Sequence, residues 1–363
     1  MQFRSSLFLI IVLCLSICLA SFTVSCLRES VAPITPIPTP TKTTSSHIGL
    51  ANTKDLLSSV PGVINPFNTD WPREVEGMNG RVTIPSKPLR IYTVSLGHEE
   101  TVFGLVPSQR IVGVRPFTQN PAYSNVSTLA KTIEVIGRSP EQILARNPDI
   151  VIASPFATEE LIMALQNVGI PVLQMELRND PSGRVEDILF LGYALGEEQR
   201  AAKLVNEVQQ RYIAVKEITD SKPIEERPRV LSITFYSDKL YVAGNNSTEG
   251  NIIETSGGIN VAAEAGIERN AVTSLEGIIA MHPEIIIIPQ PEEDGGIEFR
   301  DSLLNNKSLA DLPAVLEKNI FLVPARFFTT LSFWNIRGAE ELSKLLWPED
   351  LADREFLQFT FPE

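Results

Sequence analysis

Two stretches of this chain share one order of polar and apolar positions. The first repeat covers residues 139–154, and the second repeat covers residues 274–289. In each, a serine precedes a short run of helical spacing, a proline follows, and a continuous apolar run comes next. Serine caps helix N-termini, proline stops helices, and a short apolar run is typical of a buried strand. The repeats therefore predict a helix–strand unit that occurs twice, which indicates two lobes of like construction.

Spacing and turn residues predict the other elements as well. In the first half, a hairpin is predicted over 74–84, strands over 90–94, 110–114 and 171–176, and helices up to Val106 and over 160–168. The second half reopens with a predicted strand over 229–233, followed by a helix over 251–256, a strand over 320–324 and a last helix that ends at Leu346. Each half thus alternates helices and strands.

A long stretch of helical spacing, residues 183–219, separates the two halves. Leu195-Gly196 breaks it, and the second piece, 197–219, would be about 34 Å long at about 1.5 Å per residue. An uninterrupted helix of this length suits a stiff strut between two lobes. The alternative is an ordinary crossover helix within a single sheet.

The predicted fold class is α/β, with two Rossmann-like lobes joined by a long rigid helix and a ligand cleft between the lobes. Ligands of open α/β sheets bind beyond the carboxyl ends of the strands, which is where the cleft is expected. The predicted segments are a signal peptide with a lipobox-like end (1–26), a Pro-, Ser- and Thr-rich tether with an unassigned lead-in (27–70), the N-terminal lobe (71–182), connecting helices that include the inter-lobe helix (183–222), the C-terminal lobe (223–347) and a C-terminal tail (348–363).

The N-terminus has the pattern of an export signal. Arg4 precedes an apolar run over 7–24, and residues 23–26 resemble the lipobox of bacterial lipoproteins, although Thr23 stands where leucine is usual. We expect Cys26 to be lipidated, which would hold the body of the protein outside the cell membrane. The alternative is an uncleaved membrane anchor, because the run is nearly long enough to span a bilayer.

Charge and cysteine content exclude several classes of function. The formal net charge is -13 and no basic stripe is present, so a nucleic-acid partner is not expected. Cys14 and Cys18 lie in the apolar run, which leaves only Cys26 after processing. A single thiol builds no intramolecular disulfide, cysteine-type zinc site or iron–sulfur cluster.

In their order along the chain, these features resemble the class III solute-binding proteins of ABC importers for iron–siderophores and vitamin B12. The resemblance covers about residues 71–347 and is carried by 82–85, 90–94, 110–114, both repeats and Gly257-Gly258-Ile259-Asn260. It implies two α/β lobes around a ligand cleft, modest closure on binding, and delivery of the ligand to the permease dimer of an ABC importer. The protein is then expected to be a monomer without enzymatic activity or cofactor, anchored outside the cell membrane.

In that family a surface glutamate on each lobe contacts arginines of the permease, and the matching positions here are Glu141 and Glu276. Carboxylate–guanidinium contacts are strong and directional, so two carboxylates at a fixed separation set an orientation. The alternative is that each carboxylate only complements the positive end of its own helix. The recurrence of the pair in register favours docking.

Aromatic and cationic residues near predicted strand ends are the candidate walls of the cleft. They suit a large, flat or amphipathic, often anionic chelate, whose oxygens would pair with Arg115 and Arg326, one from each lobe. Phe333 and Tyr92 are expected in the cores, and Phe156 suits either place. The candidate ligand-binding residues are His98, Arg115, Phe117, Tyr123, Phe156, Tyr236, Tyr241, Arg326, Phe327, Phe328 and Trp334.

The three histidines lie in separate contexts. His98 has two readings, an axial ligand to heme iron or contact to a cobalt chelate, and a hydrogen-bonding cap near a turn. His282 precedes a proline at a helix end and is read as structural, and His47 as an exposed residue of the tether. They do not converge, so no metal site of the protein itself is expected.

The expected cargo is an iron(III)–siderophore, with cobalamin or heme as alternatives. An extracytoplasmic enzyme is the rival class, but the chain has no Gly-x-Ser-x-Gly elbow, no His-Glu-x-x-His and no phosphate-binding glycine loop. A signalling or structural lipoprotein with the same fold is a third reading.

Overall fold

The computed structural model describes residues 53–351, 353–356 and 358–363. The predicted signal peptide, the lipidation site Cys26 and most of the predicted tether lie outside these ranges. None of the helices within them combines the length and the apolar character that a membrane span requires.

Helices and strands alternate along the described chain. The strands are β1 (Arg73–Gly77), β2 (Gly80–Ile84), β3 (Ile91–Thr93), β4 (Ile150–Ala153), β5 (Val172–Gln174), β6 (Arg229–Tyr236), β7 (Lys239–Ala243), β8 (Ile259–Asn260), β9 (Asn270–Thr273), β10 (Ile285–Ile288) and β11 (Ile320–Leu322). The helices are α1 (Thr53–Ser58), α2 (Leu96–Leu105), α3 (Ser127–Ala130), α4 (Pro140–Leu144), α5 (Glu159–Gln166), α6 (Pro181–Leu195), α7 (Glu198–Thr219), α8 (Thr248–Thr255), α9 (Val261–Glu264), α10 (Leu275–Met281), α11 (Gly296–Leu304), α12 (Pro313–Leu316), α13 (Ala325–Phe328), α14 (Asn335–Leu346) and α15 (Pro348–Leu351).

The N-terminal lobe is built on a parallel sheet with the order β3-β4-β5. All four residues of the central strand β4 are buried, as expected for a parallel strand covered on both faces. Tyr92 on β3 is 0% exposed, which confirms its prediction as a core residue. The predicted hairpin is also present, since β1 and β2 pair in antiparallel fashion.

The predicted strand over 110–114 is wrong. Residues Ser108–Arg110 form a 3-10 turn, and the segment makes only isolated bridges, from Ile111 to Ile91 and from Val114 to Val135. These two bridges lead to different neighbours, so no continuous ladder forms. Gly113 lies between them, and glycine weakens a strand interior.

The predicted pair of connecting helices is present as α6 and α7. Gly196 ends α6 in the left-handed conformation, with φ 71°, and this allows the chain to turn. Helix α7 then runs for 22 residues and packs against α2 and α6 on the side of the N-terminal lobe and against α8 and α14 on the other side. Because β5 and β6 belong to different sheets, the alternative of a crossover within one sheet is wrong.

The C-terminal lobe is built on a mixed sheet with the order β11-β10-β6-β7-β9, in which β8 also pairs with β6. Strand β10 lies between β11 and β6 and is parallel to both. Strand β6 is eight residues long and continues into an antiparallel hairpin with β7. The prediction of two α/β lobes joined by a long helix is therefore confirmed, with an antiparallel extension in the second lobe.

The last residues pack back onto the protein. Phe359 is 5% exposed and meets the rings of Phe333 and Trp334 edge-on, each at 4.9 Å between centroids. Phe333 is 1% exposed, as predicted for a core residue. The guanidinium of Arg211 on α7 lies over Phe359 at 4.2 Å. This end of the chain therefore covers the inter-lobe helix.

Candidate ligand-binding cleft

A cleft lies beyond the carboxyl ends of the strands of the two lobes. A hollow of about 370 Å³ is bounded by segments that follow β10 and β11 and by one turn of the N-terminal lobe. Its lining residues are Pro121, Ala122, Gln290, Pro291, Glu292, Glu293, Leu322, Val323, Pro324, Ala325 and Arg326. Open α/β sheets bind ligands at this edge, so the hollow lies where the cleft is expected.

The N-terminal wall carries three of the predicted aromatic side chains. Phe117 is 60% exposed, and its ring meets the ring of Tyr123 edge-on with 5.5 Å between centroids. Phe156 follows β4 and is 75% exposed, so its alternative placement in the core is wrong. Exposed rings beyond strand ends are the kind of surface that binds a flat or amphipathic ligand.

Tyr123 and Asp294 form a hydrogen bond between the two walls. The hydroxyl of Tyr123 donates to Oδ2 of Asp294, which ends a 3-10 turn in the C-terminal lobe. Burial, together with the carboxylates of Asp294 and Glu293, raises the pKa of Tyr123 above its ordinary value. The phenol therefore stays protonated at neutral pH, whereas ligation of iron by tyrosine uses the phenolate.

The C-terminal wall presents the tip of the β6–β7 hairpin. Tyr236 is 73% exposed and Phe235 is 40% exposed. Gln290 holds this tip in place: its Oε1 accepts the N–H of Phe235 at 3.0 Å, and its Nε2 donates to the carbonyl oxygen of Asp294 at 2.6 Å. The tip is therefore connected to the residue that Tyr123 contacts from the other wall.

A second hollow, of about 650 Å³, lies under the hairpin tip. Phe235 stacks on Phe299 with 5.6 Å between ring centroids, and both rings line this space together with Leu240, Leu275 and Leu303. It shares Gln290 with the first hollow. The C-terminal wall thus offers an apolar surface next to the cleft.

The two predicted arginines are both half-buried and both engaged by the protein. Nη1 of Arg326 donates to the carbonyl oxygen of Pro121 at 3.3 Å, and its guanidinium lies over the ring of Phe327 at 4.9 Å. Nη1 of Arg115 donates to the carbonyl oxygen of Ile136 at 3.4 Å. A guanidinium has five N–H donors, so each arginine has further donors for a ligand.

His98 lies in the core and not on the cleft, which corrects its prediction as a ligand contact. Its side chain is 2% exposed, with Nδ1 3.0 Å from Oγ of Ser95 and Nε2 3.0 Å from the carbonyl oxygen of Glu176. Burial lowers the pKa of His98 to about 4, so the ring is neutral. A carbonyl only accepts, so Nε2 carries the proton and Nδ1 accepts from Ser95. The structure supports the reading of His98 as a hydrogen-bonding residue at the start of α2.

The other predicted wall residues lie deeper. Phe328 and Trp334 are 0% and 5% exposed, because the segment between α13 and α14 enters the core where α14 begins. Tyr241 is half-buried on β7, and Phe327 is half-buried beneath Arg326. None of these four is an exposed wall residue in this structure.

Several cleft residues were missed at the sequence level. Arg138 is exposed beside a hollow of about 90 Å³ beyond β3 and β4, which Phe156 also lines. Glu292 and Glu293 are exposed beside Asp294. Arg138 directly precedes the first repeat, and the run Glu292-Glu293-Asp294 after the strand of the second repeat is the signal that would have found the acidic residues.

The two glutamates predicted to dock on a permease are both exposed. Glu141 lies in the first turn of α4, which Ser139 caps, and Glu276 lies in the first turn of α10, which Ser274 caps. Bonds from its own backbone amide and from the hydroxyl of Ser274 hold the pKa of Glu276 below its ordinary value. The carboxylate of Glu276 is therefore charged at neutral pH.

The structure also bears on metal binding by the protein itself. Across residues 53–351 and the two short ranges after them, no three His, Cys, Asp or Glu side chains are grouped as a metal site requires. His282 ends α10 in the left-handed conformation with φ 49°, and its N–H donates to the carbonyl oxygens of Ile278 and Ile279, both at 3.2 Å. This confirms the reading of His282 as structural.

The chain has distant relatives among curated proteins, and those described below are named as binding proteins. The chain is 26% identical over 218 residues to the cobalamin-binding protein of Halobacterium salinarum, a match that covers 59% of this chain and 57% of that protein. It is 22% identical over 296 residues to the ferric enterobactin-binding periplasmic protein FepB of Escherichia coli O6:H1, which covers 75% of this chain and 89% of that protein. The chain thus spans little more than half the length of its Halobacterium relative.

Solved structures place the fold among binding proteins. The periplasmic heme-binding protein RhuT from Roseiflexus sp. RS-1, in apo form, superposes with a TM-score of 0.62 at 25% sequence identity and covers 71% of this chain and 98% of its own. These relatives are named as binding proteins and not as enzymes, in agreement with the predicted resemblance to class III solute-binding proteins. Residues 91–327 match the profile of the family described as periplasmic binding protein. The chain belongs to the periplasmic binding protein family.

Proposed function

We propose that this protein captures a metal chelate outside the cell membrane and delivers it to the permease dimer of an ABC importer. The cargo is an iron(III)–siderophore. The observation that carries the proposal is the pair of aromatic walls at the strand ends, with Phe117 and Phe156 exposed on one lobe and Tyr236 on the other. Such walls suit a bulky amphipathic ligand. The ferric enterobactin-binding relative supports the same class of cargo.

The cargo arrives with its own metal ligands. Tyr123 is a protonated phenol bonded to Asp294, and both ring nitrogens of His98 are engaged inside the core. Neither side chain is free to complete the coordination sphere of an iron or cobalt ion. The protein therefore recognises the periphery of a chelate whose coordination sphere is already full.

The charges at the cleft narrow the class of chelate. Two carboxylates, those of Glu292 and Glu293, line the hollow together with one guanidinium, that of Arg326, so these charged side chains give the hollow a net negative lining. Like charges repel across a narrow cleft, and this repulsion discriminates among ligands of one size. Neutral or cationic ferric hydroxamates therefore suit the cleft better than a trianionic ferric tricatecholate.

Thermal unfolding of the full-length chain in detergent micelles tests the proposal. The probes are ferrioxamine B (cationic), ferrichrome (neutral), ferric enterobactin (trianionic), cyanocobalamin and hemin. A ligand at a hundredfold excess over its Kd stabilises the folded state by about 2.7 kcal/mol. We expect ferrioxamine B and ferrichrome to raise Tm the most, and iron-free desferrioxamine B to leave it unchanged.

The outcomes separate the two parts of the proposal. If no probe raises Tm, capture of a chelate is contradicted. If ferric enterobactin gives the largest shift, only the charge preference is contradicted. The double variant Glu292→Lys/Glu293→Lys tests the charge preference separately. It should give the largest Tm shift with the trianionic probe, because it reverses the charge of the wall without changing the aromatic residues.

Cobalamin is the second candidate cargo, because the Halobacterium relative is a cobalamin-binding protein. Cyanocobalamin is neutral, so the acidic wall does not oppose it. The largest Tm shift with cyanocobalamin would replace the siderophore by a corrinoid as the cargo.

We also propose that Glu141 and Glu276 dock on arginines of the permease and that Cys26 carries a lipid anchor. Both glutamates are exposed, which docking requires.

The lipobox-like residues 23–26 support the lipid anchor on Cys26. Metabolic labelling with a radioactive fatty acid should label the protein and not the Cys26→Ser variant, and equal labelling of both would contradict the anchor.

A further inference from the structure

Helix α2 carries two adjacent buried glutamates whose hydrogen-bond partners lie in different places. Glu99 is 1% exposed and Glu100 is 0% exposed. Glu99 accepts from the N–H of Arg115 at 2.9 Å and from the hydroxyl of Thr118, both within the N-terminal lobe. Glu100, in contrast to Glu99, has partners in both lobes. Burial raises the pKa of both carboxyls, that of Glu99 to about 8.

The carboxylate of Glu100 is filled by four donors. Its Oε1 accepts from the N–H of Asn125 at 2.7 Å and from Nδ2 of Asn125 at 2.9 Å. Its Oε2 accepts from the hydroxyl of Ser332 at 2.5 Å and from the hydroxyl of Thr330. A carboxylate has about four acceptor positions, so this one is saturated. Thr330 and Ser332 follow β11, a strand of the C-terminal sheet, so Glu100 joins the two lobes.

Two further contacts hold the same segment of the C-terminal lobe against the N-terminal lobe. Nη1 of the buried Arg184 on α6 donates to the carbonyl oxygen of Leu331. A methyl group on Gly97 would lie only 2.8 Å from that oxygen, so the backbone at Leu331 lies directly against α2. The absence of a side chain at Gly97 is what permits this approach.

The same network reaches the cleft. Nδ2 of Asn125 also donates to the carbonyl oxygen of Arg326 at 2.7 Å. The N–H of Arg326 donates in turn to the carbonyl oxygen of Ala122 at 3.1 Å. Ala122 and Arg326 both line the cleft hollow. The bonds of Glu100 thus lie directly behind the place where the two walls meet.

We propose that Glu100 is a positioning residue that holds the two walls of the cleft in register by fixing Asn125 of one lobe and the segment Thr330–Ser332 of the other. The carboxylate of Glu100 therefore adds a buried connection between the lobes to the covalent one through α7 and to the hydrogen bonds at the cleft. Movement of one wall against the other must turn about Glu100 or break its bonds. This inference concerns the protein alone and goes beyond the proposed cargo, and only its affinity measurement rests on the proposed function.

Hydrogen–deuterium exchange of the full-length chain without ligand tests the proposal, with Glu100→Gln and Glu99→Gln as a matched pair. Both substitutions place an amide in a buried site on α2, but only Glu100 has partners in the C-terminal lobe. An amide offers one acceptor oxygen and turns donors toward donors. We expect Glu100→Gln to accelerate exchange roughly tenfold or more in peptides covering 329–336 and 122–126. Glu99→Gln should accelerate exchange over 115–119 and leave 329–336 unchanged.

Equal protection of 329–336 in the wild type and in Glu100→Gln would overturn the proposal. So would acceleration of 329–336 in Glu99→Gln to the same extent, since the effect would then reflect general loosening of α2. If Glu100→Gln does not fold, Ser332→Ala removes a single donor and should accelerate exchange over 329–336 and 122–126 more weakly, and no change would count equally against the proposal. With any chelate that binds, Glu100→Gln should weaken the affinity more than Ser332→Ala does.

Discussion

The two repeats are alike at their amino ends and along their strands, and their lobes differ at the cleft. In both, a serine caps the helix and an isoleucine at the same position, Ile143 or Ile278, is 0% exposed. The strand that pairs with each repeat also begins alike. Nε of Arg90 donates to the carbonyl oxygen of Asn147 at 2.8 Å, and Nε of Arg229 donates to that of His282 at 3.4 Å.

The difference lies at the carboxyl end of the strand next to each repeat. Strand β3 has three residues and leads into Ser95, the cap of α2, whereas β6 has eight residues and continues into the hairpin that carries Phe235 and Tyr236. The repeated units thus present similar glutamates on their helices, while the cleft receives different walls. Under the proposed function, the two similar glutamates would contact a permease dimer of two like halves. The two different walls would contact an asymmetric ligand.

Of the changes proposed for the two repeats, charge reversal of Glu141 or Glu276 should have the largest effect, which is a loss of chelate uptake. Charge reversal replaces attraction to an arginine by repulsion, so Glu141→Lys or Glu276→Lys should each lower uptake of a bound chelate by roughly tenfold or more. Uptake of radioactive iron supplied as the chelate is measured in cells that express the importer. Binding of the chelate by the purified variants should be unchanged, because neither residue lies at the cleft.

The matched control is Glu159→Lys, which reverses an acidic residue in the first turn of α5 instead. Its uptake should equal that of the wild type. Wild-type uptake by both Glu141→Lys and Glu276→Lys would show that these carboxylates serve only the helix ends, and a loss in one alone would show that the lobes dock unequally.

Local signals explain why the repeats were predicted correctly. A capping serine, a proline after the helix and an apolar run are all read within about fifteen residues, and α4, β4, α10 and β10 lie where these signals place them. The strand prediction for 110–114 is wrong because Ile111 pairs with Ile91 whereas Val114 pairs with Val135, so the segment changes its neighbour midway. A local sequence pattern does not indicate such a change.

Local sequence patterns also do not predict which of the candidate site residues are buried. His98, Phe328 and Trp334 have the residue types of a ligand wall, yet they face the core because of where α2, α13 and α14 pack. Glu100 is bonded to Thr330 and Ser332, which lie 230 and 232 positions further along the chain. Such contacts follow from the tertiary fold, and the sequence alone contains no spacing that indicates them.

Truncation of the matched isoleucines should produce the next largest effect. Ile143 and Ile278 are both fully buried in the cores of their lobes, so Ile143→Ala and Ile278→Ala should each lower the free energy of unfolding by about 2–5 kcal/mol. Urea unfolding followed by circular dichroism measures both values. Ile279→Ala is the control, because Ile279 is 40% exposed and its loss should change stability by about 0.5 kcal/mol or less. A cost below 1 kcal/mol for one isoleucine, by the same measurement, would show that the two units are not equivalent in packing.

The smallest effect concerns the residue before the proline of each repeat. Asn147 and His282 both adopt the left-handed conformation, with φ 45° and φ 49°, and each precedes a proline. Asparagine tolerates this conformation better than most side chains, because its short amide bonds locally to the backbone. His282→Asn, which gives the second repeat the residue of the first, should therefore raise the free energy of unfolding by a few tenths of a kcal/mol, and Asn147→His should lower it by a similar amount. Paired urea titrations with the wild type resolve the sign of each change, and a loss of stability in His282→Asn would mean that the imidazole makes a contribution of its own that the exposed position does not suggest.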